Sequence, residues 1–391
     1  MKRPLVCLAA VAALVSLLVG LLPVCAARSA AAETPVPLLA GVRVFPSVSA
    51  QSAVLTEAES GEVLFAKSAD DRLPMASTTK IMTALVALEH AAPETIVTVP
   101  REAVGTEGSS VYLFEGEQLT LEQLLYALLL ASANDAAVAI AYGVAGGVEP
   151  FAALMNEKAA ALGLTNTHFV NPNGLDEPDH YTTARELAVI ARAALGNDLI
   201  RKMVSTRKTA IPHNGEEGRR LLLNHNKLLR QYEGAIGMKT GFTKRSGRCL
   251  VSAAERNGVT LIAVTLNAPN DWNDHKTMLD QGFAALVSVP LCAADGISLQ
   301  VPAVGGTEPE VTVANAEPKR LILPSGHGEI TASVELPRFL YAPVAAGDAV
   351  GRVVWRLDGV PVCEVALLAK SDVGTPKKAG WFRRLWEKIF K

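Results

Sequence analysis

Two strand patterns near the beginning of the chain are separated from two later strand patterns by a long helical region. The first two occupy residues 53–56 and 63–65, and the later two occupy residues 247–254 and 259–266, joined by a turn. Helical patterns fill the interval, at residues 77–90, 121–130, 133–142, 151–162 and 183–194. Strands followed by helices and then strands again predict an α/β fold, in which distant parts of the chain complete one sheet flanked by a helical block.

Composition argues against several classes of function. The 391 residues carry a formal net charge of −2, whereas a nucleic-acid-binding domain is usually strongly basic, so no nucleic-acid partner is expected. The seven histidines are scattered and no C-x-x-C or H-E-x-x-H spacing occurs, so a catalytic zinc is not expected. No metal or other cofactor is predicted. Cys249, Cys292 and Cys363 have apolar neighbours and are interpreted as free thiols, although an exported chain could pair two of them.

The first 32 residues have the pattern of a secretory signal peptide. Lys2 and Arg3 precede an apolar stretch at residues 5–24, and small residues between 25 and 32 offer cleavage sites. An uncleaved membrane anchor is the alternative, because about twenty apolar residues can span a bilayer. Cleavage would remove Lys2, Arg3 and Arg28 and change the formal net charge from −2 to −5. The protein is therefore expected to be exported and mildly acidic.

Residues 33–290 are assigned to one domain and residues 291–370 to a separate, small β-rich domain. After about residue 290 the helical patterns thin out, and Val, Pro and Gly become frequent. Within this region, residues 352–357 and 360–365 flank Asp358-Gly359, a dipeptide that is typical of a two-residue β-hairpin turn.

Residues 371–391 are interpreted as a linker followed by an amphipathic helix. In a helix, the aromatic and aliphatic side chains of residues 381–391 would form one stripe, with the charged side chains opposite. Six cations against the single acid Glu387 give residues 377–391 a net charge of +5. Such a helix is expected to lie in the interface of an anionic membrane. The alternative is that it docks on the protein itself or on a partner.

A serine and a lysine three residues apart begin the first helical pattern. If residues 77–90 are helical, Ser77 and Lys80 lie on one face, so the lysine amine can reach the serine hydroxyl. An amine that burial or a second cation has deprotonated can activate such a serine as a nucleophile. The same spacing recurs at Ser205 and Lys208, but Lys208 runs into Thr-Ala-Ile-Pro, which is not a helical sequence.

Two further motifs carry polar groups that could face the same site. Ser132 and Asn134 lie between two helical patterns, where a loop can present them to a cleft. The alternative is that one of them only caps the following helix. Lys239, Thr240 and Gly241 are placed at a sheet edge and would supply a cation, a hydroxyl and room for a ligand backbone, unless they form a solvated turn.

In this order the three motifs match S-x-x-K, S-x-N and K-T-G, a signature of penicillin-binding proteins and class A β-lactamases. The chain resembles the low-molecular-mass, penicillin-binding D-alanyl-D-alanine carboxypeptidases, and its blocks at 73–83, 171–176 and 237–243 look like that family's blocks. The resemblance covers roughly residues 50–290 and continues with a β domain and a C-terminal tail. It implies a β-lactamase/transpeptidase-like sheet, and a tail that holds the protein at the outer face of the cytoplasmic membrane.

The resemblance also implies a reaction. Ser77 would attack the carbonyl of the terminal D-Ala-D-Ala bond of a peptidoglycan stem peptide, with Lys80 as its general base. Ser132 would relay a proton to the leaving amine, and water would then release the acyl group. β-Lactam antibiotics would acylate the same serine.

The remaining motif residues would bind the substrate. Asn134 would hold the peptide amide, while Lys239, Thr240 and Gly241 would engage the terminal carboxylate side of the substrate. The oxyanion hole would consist of two backbone N–H groups, that of the nucleophile and that of Phe242.

Three other functions would use the same motifs. A β-lactamase needs a base for fast deacylation, typically a glutamate in an E-x-x-L-N-type loop, and none occurs in residues 143–192. A D,D-endopeptidase would share every motif and differ only in the cross-linked substrate that fits. An inactive wall-binding protein is disfavoured, because every motif residue is present.

Overall fold

The computed structural model describes residues 37–213 and 216–376, so the predicted signal peptide and the basic tail at 377–391 lie outside the described residues. The helices are α1 (Lys80–His90), α2 (Leu121–Leu130), α3 (Asn134–Ala145), α4 (Val148–Ala161), α5 (Ala184–Leu195), α6 (Asp198–Ser205), α7 (Leu228–Gln231) and α8 (Asp271–Ala285). The strands are β1 (Ser52–Glu57), β2 (Val63–Lys67), β3 (Ile96–Thr98), β4 (Gln118–Thr120), β5 (Lys208–His213), β6 (Glu216–Leu223), β7 (Ala235–Thr243), β8 (Gly247–Arg256), β9 (Val259–Leu266), β10 (Leu286–Cys292), β11 (Ser298–Val304), β12 (Glu310–Ala314), β13 (Lys319–Pro324), β14 (Ile330–Glu335), β15 (Leu340–Tyr341), β16 (Ala349–Leu357) and β17 (Val360–Ala369). Short 3-10 helices occupy Ala76–Thr79 and Arg101–Ala103.

A five-stranded antiparallel sheet with the order β2-β1-β9-β8-β7 forms the centre of the larger part of the chain. Strand β1 pairs with β9, so that Val54 lies opposite Val264. The strands predicted before and after the helical region are therefore direct neighbours. Asn257 and Gly258 make the β8–β9 turn with φ angles of 49° and 79°, as a tight hairpin requires. The predicted α/β fold is confirmed.

Both faces of strand β1 are buried. Successive side chains of a strand point to opposite faces of a sheet. Val54 packs into the core shared with helices α1 to α6, whereas Ala53 and Leu55 pack into a second core that includes residues of α8. Helix α8 was not predicted from the sequence. The residues that it buries include Asp271, Asp274 and His275. Because these buried residues are polar, the sequence of the helix shows no continuous apolar face.

The helical block places the joint between α2 and α3 close to the sheet. A capping box begins α2: the Gln123 N–H donates to Thr120 Oγ1 over 3.2 Å, and the Thr120 N–H donates to Gln123 Oε1 over 2.9 Å.

In the described part of the chain, no single helix is long and apolar enough to cross a membrane. Helices α3 and α4 meet that length and composition only as a pair, and they are bent by 83°.

The β-rich region has its own sheet, with the order β14-β16-β17-β12-β11-β15, and its own core around Trp355 and Leu367. The predicted hairpin joins β16 to β17, with left-handed φ angles at Asp358 and Gly359. Val373 pairs with Val344 and is buried, so the segment predicted as a linker includes a residue that packs against this region. The three cysteines of the described residues are free thiols, as predicted.

Candidate active site

The first motif places an amine beside a hydroxyl. Ser77 lies in the 3-10 helix that leads into α1, and Lys80 is the first residue of α1. Lys80 Nζ lies 2.8 Å from Ser77 Oγ, within hydrogen-bond distance. Lys80 is fully buried, whereas Ser77 is partly accessible. The predicted contact within this pair is therefore present in the structure.

Two further acceptors hold the Lys80 amine. Nζ donates to Asn134 Oδ1 over 2.7 Å and to the backbone carbonyl of Asn173 over 2.5 Å. The role of Asn173 was missed, because a backbone carbonyl leaves no signature in side-chain chemistry. The only signal for it was the block at 171–176, which resembles the family but suggested no contact.

The second motif lies at the joint between α2 and α3. Helix α3 begins without a side-chain cap, so the capping alternative for Ser132 and Asn134 is wrong. Ser132 has a φ of 61° and its hydroxyl accepts from Lys239 Nζ over 3.0 Å. Asn134 Nδ2 donates to the carbonyl of Glu107 over 2.5 Å, while its Oδ1 faces Lys80. In this structure Asn134 thus orients the lysine, and its contact with a substrate amide stays a prediction.

The third motif lies on β7, the strand at one edge of the central sheet. Lys239 is buried, and its Nζ also donates to the carbonyl of Thr240 over 2.8 Å. Gly241 passes close to the nucleophile: a Cβ there would lie 3.1 Å from both Ser77 N and the Met75 carbonyl oxygen. Glycine therefore lets β7 approach the backbone of Ser77. The edge position predicted for this motif is confirmed.

Burial changes the charge state of both lysines. The pKa of Lys80 is well below its usual value, first because of burial and then because of the nearby charge of Lys239, with Asp135 opposing both. Burial lowers the pKa of Lys239 to about 7. Since Lys80 experiences both effects, we infer that it loses its proton before Lys239 does. One neutral amine and one protonated amine can therefore coexist in the site.

A cleft of about 350 Å³ opens beside these groups. Its lining residues are Ser77, Ser109, Ser132, His225, Lys227, Thr240, Gly241, Phe242, Arg248, Asp271 and Trp272. Phe242 is 65% exposed, whereas Ser132 is 5% exposed. The cleft therefore contains an accessible rim and a buried floor.

One end of the cleft was not foreseen from the sequence. Arg248 donates to the two carboxylate oxygens of Asp271, through Nε over 3.0 Å and Nη2 over 2.9 Å. Lys227 and Arg248 both lie 5.9 Å from the ring centroid of Trp272. Asp271 and Trp272 are the first two residues of α8, which was not predicted from the sequence. This end of the cleft was therefore not predicted either.

The second serine-lysine pair does not form such a site. Ser205 ends α6 and its hydroxyl donates to the carbonyl of Arg201 over 2.9 Å. Lys208 is exposed and begins strand β5. The two residues are therefore not a turn apart on one helix, which agrees with the interpretation of the sequence.

Comparisons with known proteins agree with this geometry. Residues 41–270 match the family described as D-alanyl-D-alanine carboxypeptidase, and residues 288–375 match the C-terminal domain of penicillin-binding protein 5. The chain is 33% identical over 342 residues to D-alanyl-D-alanine carboxypeptidase DacF of Bacillus subtilis, covering 85% of this chain and 87% of the relative. It is 32% identical over 359 residues to D-alanyl-D-alanine carboxypeptidase DacC of Escherichia coli, covering 88% of each.

A solved structure shows the same fold. Penicillin-binding protein 5 of Haemophilus influenzae superimposes with a TM-score of 0.62 at 31% sequence identity, covering 85% of this chain and 99% of the other. The match spans both the sheet with its helical block and the β-rich region. The chain therefore belongs to the D-alanyl-D-alanine carboxypeptidase family and is a serine-type hydrolase.

Proposed function

We propose that this protein removes the terminal D-alanine from peptidoglycan stem pentapeptides through an acyl-enzyme, and that penicillin inhibits it by acylating the same serine. The observation that carries this proposal is the 2.8 Å hydrogen bond between Lys80 Nζ and Ser77 Oγ in a buried site. The family names of its relatives supply the substrate class.

In the neutral Lys80 amine the two N–H bonds would donate to the oxygens of Asn134 and Asn173, which leaves the lone pair to accept from the Ser77 hydroxyl. Acylation would begin when the Ser77 proton passes to that lone pair.

The serine oxygen attacks the carbonyl carbon of the D-Ala-D-Ala bond, and the backbone N–H groups of Ser77 and Phe242 stabilise the oxyanion. The C–N bond then breaks, and the proton that Lys80 took from Ser77 passes to the leaving amine through the Ser132 hydroxyl, which accepts a hydrogen bond from Lys239. D-Alanine leaves first.

The terminal carboxylate would lie at the Thr240 end of the cleft. Lys239 supplies a cation there, but its pKa of about 7 leaves it only partly charged near neutral pH. Arg248 lines the same cleft and keeps its charge at any physiological pH. We therefore assign Arg248 to the carboxylate together with Lys239 and Thr240.

Deacylation would complete the cycle. A water attacks the acyl-enzyme carbonyl and gives a proton to Lys80, and Lys80 passes that proton to Ser77 Oγ as the acyl group leaves. Penicillin would acylate the enzyme by the same first step, in which Ser77 Oγ attacks the carbonyl carbon of the β-lactam ring. An opened lactam keeps its amine attached, which slows the entry of water.

The proposed activity is tested with purified protein and a diacetyl-Lys-D-Ala-D-Ala peptide. Released D-alanine is measured, and labelled penicillin is located by peptide mapping. We expect label on Ser77, and loss of both label and release in Ser77→Ala. Ser205→Ala is the matched control, with label and release unchanged. Label that survives Ser77→Ala would contradict the assignment, and rapid turnover of penicillin would favour a β-lactamase instead.

We further propose that the enzyme works outside the cytoplasmic membrane, attached through residues 377–391. The support is compositional: a basic, aromatic amphipathic segment ends the chain, and the first 32 residues have the pattern of a signal peptide.

A further inference from the structure

The peptide unit between Ala76 and Ser77 occupies an unusual conformation. Ala76 has a φ of 47°, in the left-handed region, which is unfavourable for a residue other than glycine. A conformation of this kind persists only where the surroundings hold it. The same peptide unit carries the Ala76 carbonyl on one side and the Ser77 N–H on the opposite side, because the bond is trans. Whatever anchors the carbonyl therefore also aims the N–H.

Thr79 and His180 anchor this carbonyl from behind. Thr79 Oγ1 donates to the Ala76 oxygen over 2.8 Å. His180 Nε2 lies 2.8 Å from Thr79 Oγ1, and the Val170 N–H donates to His180 Nδ1 over 3.0 Å. Since Nδ1 accepts, the neutral ring carries its proton on Nε2, and that proton points to Thr79. The hydrogen bonds thus run in one direction, from His180 to Thr79 to Ala76.

The ring is held in its neutral form. His180 is 3% exposed, and burial, followed by the charges of His168 and Lys80, lowers its pKa to about 4. At physiological pH the direction of the hydrogen bonds is therefore constant. Consecutive bonds of this kind polarise one another, which strengthens the last of them.

Two glycines enclose the same peptide unit. A Cβ on Gly174 would lie 2.0 Å from the Ala76 oxygen and 2.9 Å from Thr79 Oγ1, so only glycine fits against the carbonyl side. A Cβ on Gly241 would lie 3.1 Å from Ser77 N and 3.1 Å from the Ala76 Cβ, so strand β7 also passes close to this peptide. The peptide is thus packed between the loop after α4 and strand β7.

We propose that His180 is a positioning residue, which acts through Thr79 to orient the Ala76–Ser77 peptide so that the Ser77 N–H points at the oxyanion. This inference rests on the proposed function, in which that N–H is one of two oxyanion donors. His180 is not among the residues that line the cleft, so it acts without touching the substrate.

The proposal predicts a specific kinetic defect. Oxyanion donors act in the transition state, so a misaimed N–H lowers the acylation rate constant and leaves non-covalent binding unchanged. Complete removal of such a donor costs about 10²–10³ in rate, and misorientation should cost roughly ten- to a hundredfold.

Two substitutions separate this role from a merely structural one. In His180→Gln the amide nitrogen reaches the position of Nε2 and can still donate to Thr79. In His180→Asn the amide oxygen reaches the position of Nδ1 and can accept from Val170, but the donor to Thr79 is lost. Stopped-flow acylation by a fluorescent penicillin gives the acylation rate constant and the binding constant separately, and thermal unfolding reports the fold.

We expect His180→Asn to lose roughly ten- to a hundredfold in the acylation rate constant with unchanged binding, and His180→Gln to stay within about threefold of the wild type. Equal losses in both variants, or normal acylation in His180→Asn, would overturn the proposal. Thr79→Val against Thr79→Ser repeats the comparison at the hydroxyl, should the asparagine variant fail to fold. Whether penicillin acylates the wild type tests the proposed function. The ratio of acylation rate constants between the paired variants tests the positioning role of His180.

Discussion

The amine of Lys239 donates a hydrogen bond to the hydroxyl of Ser132 over 3.0 Å, although the two residues are 107 positions apart. This contact joins the edge strand β7 to the joint between α2 and α3. On the other side of that joint, Asn134 accepts from Lys80. The two lysines are therefore held by residues only two positions apart. Their protonation is coupled, because the charge of Lys239 lowers the pKa of Lys80.

This coupling predicts the pH dependence. Lys239 must be protonated to bind a carboxylate, and its pKa in the free enzyme is about 7, so kcat/KM should fall as pH rises through about 7. A bound carboxylate stabilises the protonated amine of Lys239 and raises its pKa. The corresponding fall in kcat should therefore occur at a higher pH than the fall in kcat/KM. Lys239→Arg keeps its charge, and its profile should lack this limb. A limb that persists near 7 in the arginine variant would contradict the assignment.

Lys80→Arg should abolish most of the acylation rate. Arginine keeps the positive charge but cannot act as a base at neutral pH, and loss of a general base typically costs about 10²–10⁴ in rate. The measurement is stopped-flow acylation by labelled penicillin. Lys202→Arg, at an exposed position of α6, is the matched control and should acylate at the wild-type rate. Near-normal acylation by the Lys80 variant would rule out this mechanism.

Arg248→Gln should weaken recognition of the substrate carboxylate. Hydrogen bonds to charged groups contribute about 1.5–3 kcal/mol, so kcat/KM for the free acid should fall roughly ten- to a hundredfold. The same peptide with a C-terminal D-alanine amide lacks the charge and should show no comparable loss. If both peptides lose activity equally, Arg248 instead supports the cleft through Asp271.

The ion pair between Arg220 and Glu117 should be important for stability. Their side chains are 7% and 1% exposed, and Arg220 Nη1 donates to Glu117 Oε1 over 2.6 Å. Removing one partner of a buried pair leaves a buried charge and typically costs about 3–5 kcal/mol, so Glu117→Gln should lower the free energy of unfolding by that amount. Glu335→Gln breaks a pair with Arg352 whose side chains are 46% and 42% exposed, and it should cost under about 1 kcal/mol. Denaturant unfolding measures both, and equal losses would contradict the argument.

The basic tail should control membrane binding. We expect the protein to sediment with anionic vesicles, less so in high salt, because the charges of residues 377–391 attract the lipid headgroups. A variant that ends after Pro376 should stay in solution and keep its activity on small peptides. Binding of the truncated protein at full strength would place the anchor elsewhere, most simply in an uncleaved leader.

Local patterns in the sequence determined the contacts and turns that depend only on residues a few positions apart. Ser77 and Lys80 are a helical turn apart, so their contact follows from spacing alone. The turns at Asn257-Gly258 and Asp358-Gly359 follow from residues that tolerate left-handed backbone. The order of the three motifs, together with the resemblance that it supports, also pointed to the reaction before any contact was known.

Only the tertiary structure decided the features that depend on burial and on distant neighbours. The Asn173 carbonyl beside Lys80, the support of Ala76 by His180, and the pairing of Arg248 with Asp271 join segments whose proximity no local pattern encodes. The lowered pKa of Lys80 is likewise a collective effect, because desolvation depends on everything packed around the amine. Helix α8 was missed for the same reason: its buried polar residues find their partners in other parts of the chain, so its sequence by itself shows no continuous apolar face.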